Sequence, residues 1–167
     1  DGCESSVRLE VMVTIQNTTA PTSIDTVQEF CISEETTFNE IAVEGIDIKW
    51  YASETATEEI PGESLVTNGT YYATQTVNTC ESVERLEVQI IVHDTALPTT
   101  SLPIQVFCIQ ENATLASLDI IGTDIIWYTV DGDVLPENTV LQNGTTYYAS
   151  QTLNECESVD RLAIDCT

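Results

Sequence analysis

Among the residue types that most often carry chemistry, this sequence offers six cysteines, a single histidine and a large excess of carboxylates. The cysteines fall at positions 3, 31, 80, 108, 156 and 166, with no C-x-x-C pair among them. Cysteines this far apart in an acidic, threonine-rich chain read as staples made in an oxidising compartment rather than as a redox or zinc motif. His93 is alone, and a Ser-His-Asp arrangement needs an imidazole held by partners that no motif near it supplies. Metalloprotease, phosphate-loop and glycine-rich dinucleotide motifs are absent. Paired carboxylates can cleave glycosides, but with 28 Asp and Glu almost any pair fits, so the signal has no specificity. No catalytic residue is assigned, and the chain is read as non-enzymatic. Calcium is the one cofactor with a case. "DGD" at Asp131–Asp133, followed by Glu137, places oxygen ligands Asp131, Asp133 and Glu137 at a turn, without the twelve-residue EF-hand spacing.

The elements that must position these residues are repeated. "NGTYYATQTVNTCES" from Asn68 returns as "NGTTYYASQTLNECES" from Asn143. "VQEFC" ending at Cys31 matches "IQVFC" ending at Cys108, 77 residues on, and Cys80 matches Cys156, 76 residues on. "IDIKWY" and "TDIIWY" align in between, and Arg85 aligns with Arg161. The head of the chain, "CESSVRLEVMV", repeats "CESVERLEVQI" from Cys80. The repeat divides the chain into residues 1–17, the terminal strand of a preceding or partner-completed repeat, then units at 18–94 and 95–167. The joins, Gln16–Ser23 and His93–Ser101, hold a proline and several threonines and are expected to be extended and lightly packed.

Within a unit the hydrophobic period is two. "RLEVQIIV" puts Leu86, Val88 and Ile90 on one face of a strand. The Asn-Gly pairs at Asn68 and Asn143 are turn signals before the Tyr-Tyr strands. Short strands separated by turns in about 75 residues predict an all-β chain of tandem immunoglobulin-like sandwiches. One helical turn is expected, around "NATLASLDI". Trp50 and Trp127 are the expected core tryptophans. Tyr71 and Tyr147 are assigned to the core, Tyr72 and Tyr148 to the surface or sheet edge. Units this small bury a modest core, so a covalent staple is physically reasonable.

Two disulfide schemes fit. Cys31–Cys80 with Cys108–Cys156 staples each unit internally and is preferred. Cys3–Cys31 with Cys80–Cys108 staples neighbours across the joins, and both of those pairs span 28 residues. Cys166 aligns with Val13 and Ile90, where no cysteine recurs, so it is read as a buried thiol or as the partner of a cysteine elsewhere.

The formal charge is −24, from 28 acidic against 4 basic residues. Nucleic acid and anionic membrane surfaces need a basic footprint and are excluded as partners. No apolar stretch reaches membrane-spanning length, so direct membrane insertion is not expected.

The cysteine before a β segment, the central "WY", "NGTYYA-Q" and the closing "CES--R--V" together resemble the tandem Ig-like repeats of giant Bacteroidota cell-surface adhesins of the SprB type. That resemblance implies secreted, extracellular stalk modules of a surface adhesin or filament used in attachment or gliding. Carried over, it implies Cys31, Cys80, Cys108 and Cys156 as the family cysteines, and Trp50, Trp127, Tyr71 and Tyr147 as core aromatics. Its expected partners are neighbouring Ig-like repeats of the same or adjacent chains, and glycans. "DTV" at Asp25 and "DTA" at Asp94 are similar to an O-glycosylation signal of those bacteria, which makes Thr26 and Thr95 candidate acceptors. The competing reading is a calcium-dependent or carbohydrate-binding module.

Overall fold

The computed structural model describes Gly2 and residues 6–166, so Cys3 lies outside the described residues. The chain is all-β and contains two immunoglobulin-like units built on one plan. In the first unit the strands are β1 (Val27–Cys31), β2 (Lys49–Tyr51), β3 (Gly69–Thr74), β4 (Thr76–Val77), β5 (Cys80–Glu81) and β6 (Leu86–His93). The second unit contributes β7 (Ile126–Tyr128), β8 (Val134–Leu135), β9 (Thr145–Ser150), β10 (Thr152–Leu153), β11 (Cys156–Glu157) and β12 (Leu162–Cys166).

The main sheet of the first unit has the order β1-β6-β3-β2, with β1 parallel to β6 and the other pairs antiparallel. The period-two reading of β6 matches the burial: Val88 and Ile90 are inside, Glu87 and Gln89 outside. The opposite side of the core is closed by a 3-10 turn at Phe38–Glu40 rather than by a regular second sheet. From that turn Phe38, with Ile41, packs on Trp50, Ala73, Val88 and Ile90. The ring of Tyr71 meets Phe38 edge-on, centroids 4.8 Å apart, a geometry aromatic quadrupoles favour.

The second unit repeats this with Leu115, Trp127, Tyr147 and Ala149 at its centre. The turn expected in "NATLASLDI" is the 3-10 turn Leu115–Ser117. Cys166 packs against this cluster, and burial beside the Asp165 carboxylate pushes its thiol pKa up.

The two units differ at the strand aligned with β1. Ile104–Cys108 forms no strand, and Ile104, Val106 and Cys108 are exposed. The partners of β1 are the last five residues of β6, Gln89–His93, whereas β12 aligns with Leu86–Ile90. Residues 6–17 likewise form no strand, and Leu9, Val11, Val13 and Ile15 are exposed.

The joins are not lightly packed, which corrects the sequence-based expectation. Pro21 and Pro98 are buried on the unit that comes after each join. A Cβ on Gly45 would lie 3.1 Å from Cβ of Pro21, and one on Gly122 would lie 3.1 Å from Cβ of Pro98. The same Cβ would lie 2.6 Å from Cδ1 of Ile48 or of Ile125, so glycine at these two positions makes room for an isoleucine of the unit as well as for the proline. Gln75 then donates to the carbonyls of Thr19 and Ala20 while its Oε1 accepts from the amide of Ile46. Gln151 does the same with Ala96 and Thr123. The polar threonine-proline composition suggested a free tether, but the buried prolines and the hydrogen bonds from these half-buried glutamines dock each join on the unit that follows it.

Candidate functional site

The most specific constellation in the molecule lies at the join between the two units. Each unit carries a tight hairpin, β4-β5 and β10-β11, whose two-residue turns are Asn78-Thr79 and Asn154-Glu155. Both residues of each turn have positive φ, 47° and 67° in the first and 50° and 63° in the second. Turns of this hand suit the twist of a two-residue hairpin. They place Cys80 opposite Val77 and Cys156 opposite Leu153, next to the turn.

Cys31 ends β1 and is paired in register with His93 at the end of β6. His93 leads directly into the next unit, so the end of β1 arrives at the second hairpin. There Cys31 and Cys156 form a disulfide with a Cα–Cα distance of 5.3 Å. This replaces both sequence-based schemes: Cys31 is not bonded to Cys80 or Cys3, and Cys80 and Cys108 are free thiols. The period-two and repeat arguments offer pairs within a unit or pairs 28 residues apart across a join. They carry no information on which unit's hairpin meets the end of β1.

The surroundings of the cystine are polar and well paired. His93 Nε2 lies 2.7 Å from Oε2 of Glu29, and its Nδ1 lies 3.4 Å from Nδ2 of Asn154. The buried hydroxyl of Thr95 donates to the carbonyl of Cys156 at 2.9 Å. Thr95 is thus unsuited to carry a glycan in the folded chain, because its oxygen is both enclosed and used. Thr26 is exposed.

Behind each hairpin sits a second constellation that sequence reasoning missed. Glu81 accepts from Nζ of Lys49 at 2.9 Å, from the hydroxyl of Tyr51 at 2.7 Å and from Oγ1 of Thr74 at 2.7 Å. These three bonds, Lys49 first, hold its carboxyl down to about 2. On its other side the Tyr51 ring is covered by the Arg85 guanidinium, 3.7 Å from the centroid. Arg85 also donates to the carbonyls of Ser53 and Ala56. In the second unit Glu157 accepts from Tyr128 and Ser150, and Arg161 lies 3.4 Å over Tyr128. Tyr51 and Tyr128 are the second residues of the "WY" pairs. The repetition of "WY", Glu and Arg together was the signal, and it reads as one cluster anchoring the hairpin to the sheet.

Trp50 and Trp127 are each 3% exposed, and Tyr147 is buried beside Trp127. Tyr71 is partly buried against the first core, and its hydroxyl lies 2.7 Å from that of Thr67. The acidic turn does not bring its three carboxylates together. Asp133 is tied to Thr129 through its backbone, and the backbone carbonyl of Glu137 accepts from Ala116. Among the described residues no group of three or more His, Cys, Asp or Glu is arranged to hold a metal ion. No helix among them is long and apolar enough to cross a membrane.

Residues 19–93 match the family of Ig-like domains described as CHU_C associated. The match covers the first unit from its join through the end of β6, the body whose plan the second unit repeats. No curated protein and no solved structure was found to match.

Proposed function

We propose that this chain is a run of structural spacer modules from a large secreted cell-surface adhesin or filament, acting as a stalk in attachment or gliding. The observation that carries the reading is the Cys31–Cys156 bond, which ties consecutive units to each other instead of stapling each one internally. A binding or catalytic module gains little from fixing its neighbour, whereas a stalk gains reach and a defined direction. Three further features support it: docked joins, a repeated hairpin anchor and the likeness of residues 19–93 to an Ig-like domain family. A cystine implies an oxidising compartment, which fits an extracellular address. In this reading the chain has no active site, and its partners are other Ig-like units.

The test is made on intact cells of the source bacterium. Antibody to this chain should label the outside, and in-frame removal of one unit should shorten reach while leaving attachment in place. Labelling only after lysis, or loss of attachment with unchanged reach, would reject the spacer role. The second of those outcomes would favour a binding module.

A further inference from the structure

The Cys31–Cys156 bond also decides how a pull on the chain is transmitted. The chain enters the first unit beside the β4-β5 hairpin, where Thr18 donates to the carbonyl of Cys80 at 3.0 Å. β1 then runs parallel to β6 and ends at Cys31, opposite His93. β6 leads away from that hairpin and has eight residues, which span on the order of 25 Å. Entry and exit therefore lie at opposite ends of the unit. The second unit repeats the arrangement: Thr95 meets the β10-β11 hairpin, and the chain leaves Cys156 through β11 and β12.

The bond splices the end of β1 to the start of β11, and this covalent route omits residues 32–155. Both cores lie in the omitted part. The buried members of the first cluster run from Phe38 to Ile90, and those of the second from Leu115 to Ala149. Each core is attached to the route sideways. β1 pairs with Gln89–His93, and the Gln28 side chain bonds the amide and the carbonyl of Ala42 at 2.9 and 3.1 Å. β12 pairs with Thr145–Ala149. The bond fixes the two ends of the omitted loop 5.3 Å apart at Cα, so a pull on the chain places no tension across it. The strands on the route are already extended and have little length to give.

We propose that the cystine is a tension bypass. A pull along the chain passes through β1, the bond, β11 and β12, and both cores ride beside that route unstretched. The proposal rests on the spacer reading and gives the stalk its mechanical part. In the reduced chain the backbone is the only covalent route, so the same pull must cross both cores in series. The loop's 125 positions then become available, about 410 to 450 Å at roughly 3.3 to 3.6 Å each.

The test holds the full 167-residue chain by peptide tags on its two ends in magnetic tweezers, with Cys3→Ser, Cys80→Ser, Cys108→Ser and Cys166→Ala leaving one cysteine pair. Pulled in reductant from the start, the chain should unfold in two steps, one per unit, on the order of 200 Å each. The mean wait before the first step is the reference time. The oxidised chain is then held at the same force for about ten times that long, because forced unfolding follows the unfolding rate of whatever is stretched. Reductant is added last. The expected record shows no step of that size before the bond is cut, then a wait close to the reference time, then the same two steps. A single step of about 410 to 450 Å at the moment of cutting would show that the cores had already come apart inside the closed loop, and the bypass would be wrong. Long steps before any reductant would overturn it as well, because the bond would not be closing the loop. These outcomes are decided on purified chain, so the spacer reading, tested on cells, stands or falls separately.

Discussion

The hydroxyl of Tyr51 donates to Oε1 of Glu81 at 2.7 Å, which fixes the hairpin bearing Cys80 to the strand bearing Trp50. One face of the unit thus positions the cysteine, and the other face of the same short strand fills the core. Lys49 and Tyr51, 32 and 30 positions before Glu81, converge on its carboxylate. That convergence makes the hairpin sensitive to acid.

Glu81 titrates near 2 in the folded chain against 4.5 for an ordinary glutamate. A lowered folded value means its contribution is complete above about 4.5 and is lost as the pH falls toward 2. Denaturant midpoints measured between pH 5 and pH 2 should fall, and Glu81→Gln should flatten that fall. An identical acid limb in the variant would show that other carboxylates carry it.

Removing the cystine should be costly and non-additive. Cys31→Ser and Cys156→Ser should each lower stability by up to about 5 kcal/mol by the chain-entropy estimate for so long a loop. The double variant should lose no more than either single one. Under the same conditions Cys80→Ser should cost far less in monomeric protein. A Cys80→Ser loss equal to that of Cys31→Ser would restore the within-unit pairing.

Thr79 holds φ at 67°, a region β-branched residues occupy only under strain. Thr79→Gly should raise stability by about 1 kcal/mol, the order of the left-handed cost it removes. Asn78→Gly, at φ 47° with a residue that tolerates the region, should change it less. Urea midpoints for the two variants check the order.

Calcium should shift the melting temperature by no more than a degree or so between chelator and millimolar ion at fixed ionic strength. Mass action requires any ion bound only by the folded chain to stabilise it, and the carboxylates of Asp131, Asp133 and Glu137 are not gathered around one point. A rise of several degrees would reinstate a calcium site.

Much of the fold is legible in the sequence because its causes are local. The period of two in Leu86–Ile90, the Asn-Gly turns and the 77-residue echo each act within a few residues or repeat without change. The site is less legible because its causes are not local. The disulfide depends on β1 lying parallel to β6, so that Cys31 travels with His93 into the next unit. Nothing in the spacing of cysteines encodes the direction of a strand pair. Tyr51 shows the same limit in smaller form. Its role needs Glu81 and Arg85 brought back across the sheet from far along the chain, and it reads in one dimension as a companion of Trp50. The joins misled for a different reason, since their partners, Gln75 and Gln151, lie 56 and 55 positions further along the chain.

The Cys31–Cys156 loop has one more consequence, for damage. It encloses 124 residues, the separation of 125 less one, and so takes in most of both units. A protease that cuts anywhere inside it produces two pieces that stay covalently attached. Loops formed by the same rule in successive units would begin every 77 residues yet run for 125, so each would overlap the next. No single backbone cut in such a run would sever it, and two cuts would do so only if no surviving loop bridged them. A surface fibre built this way would tolerate nicking as a laid rope tolerates a broken strand.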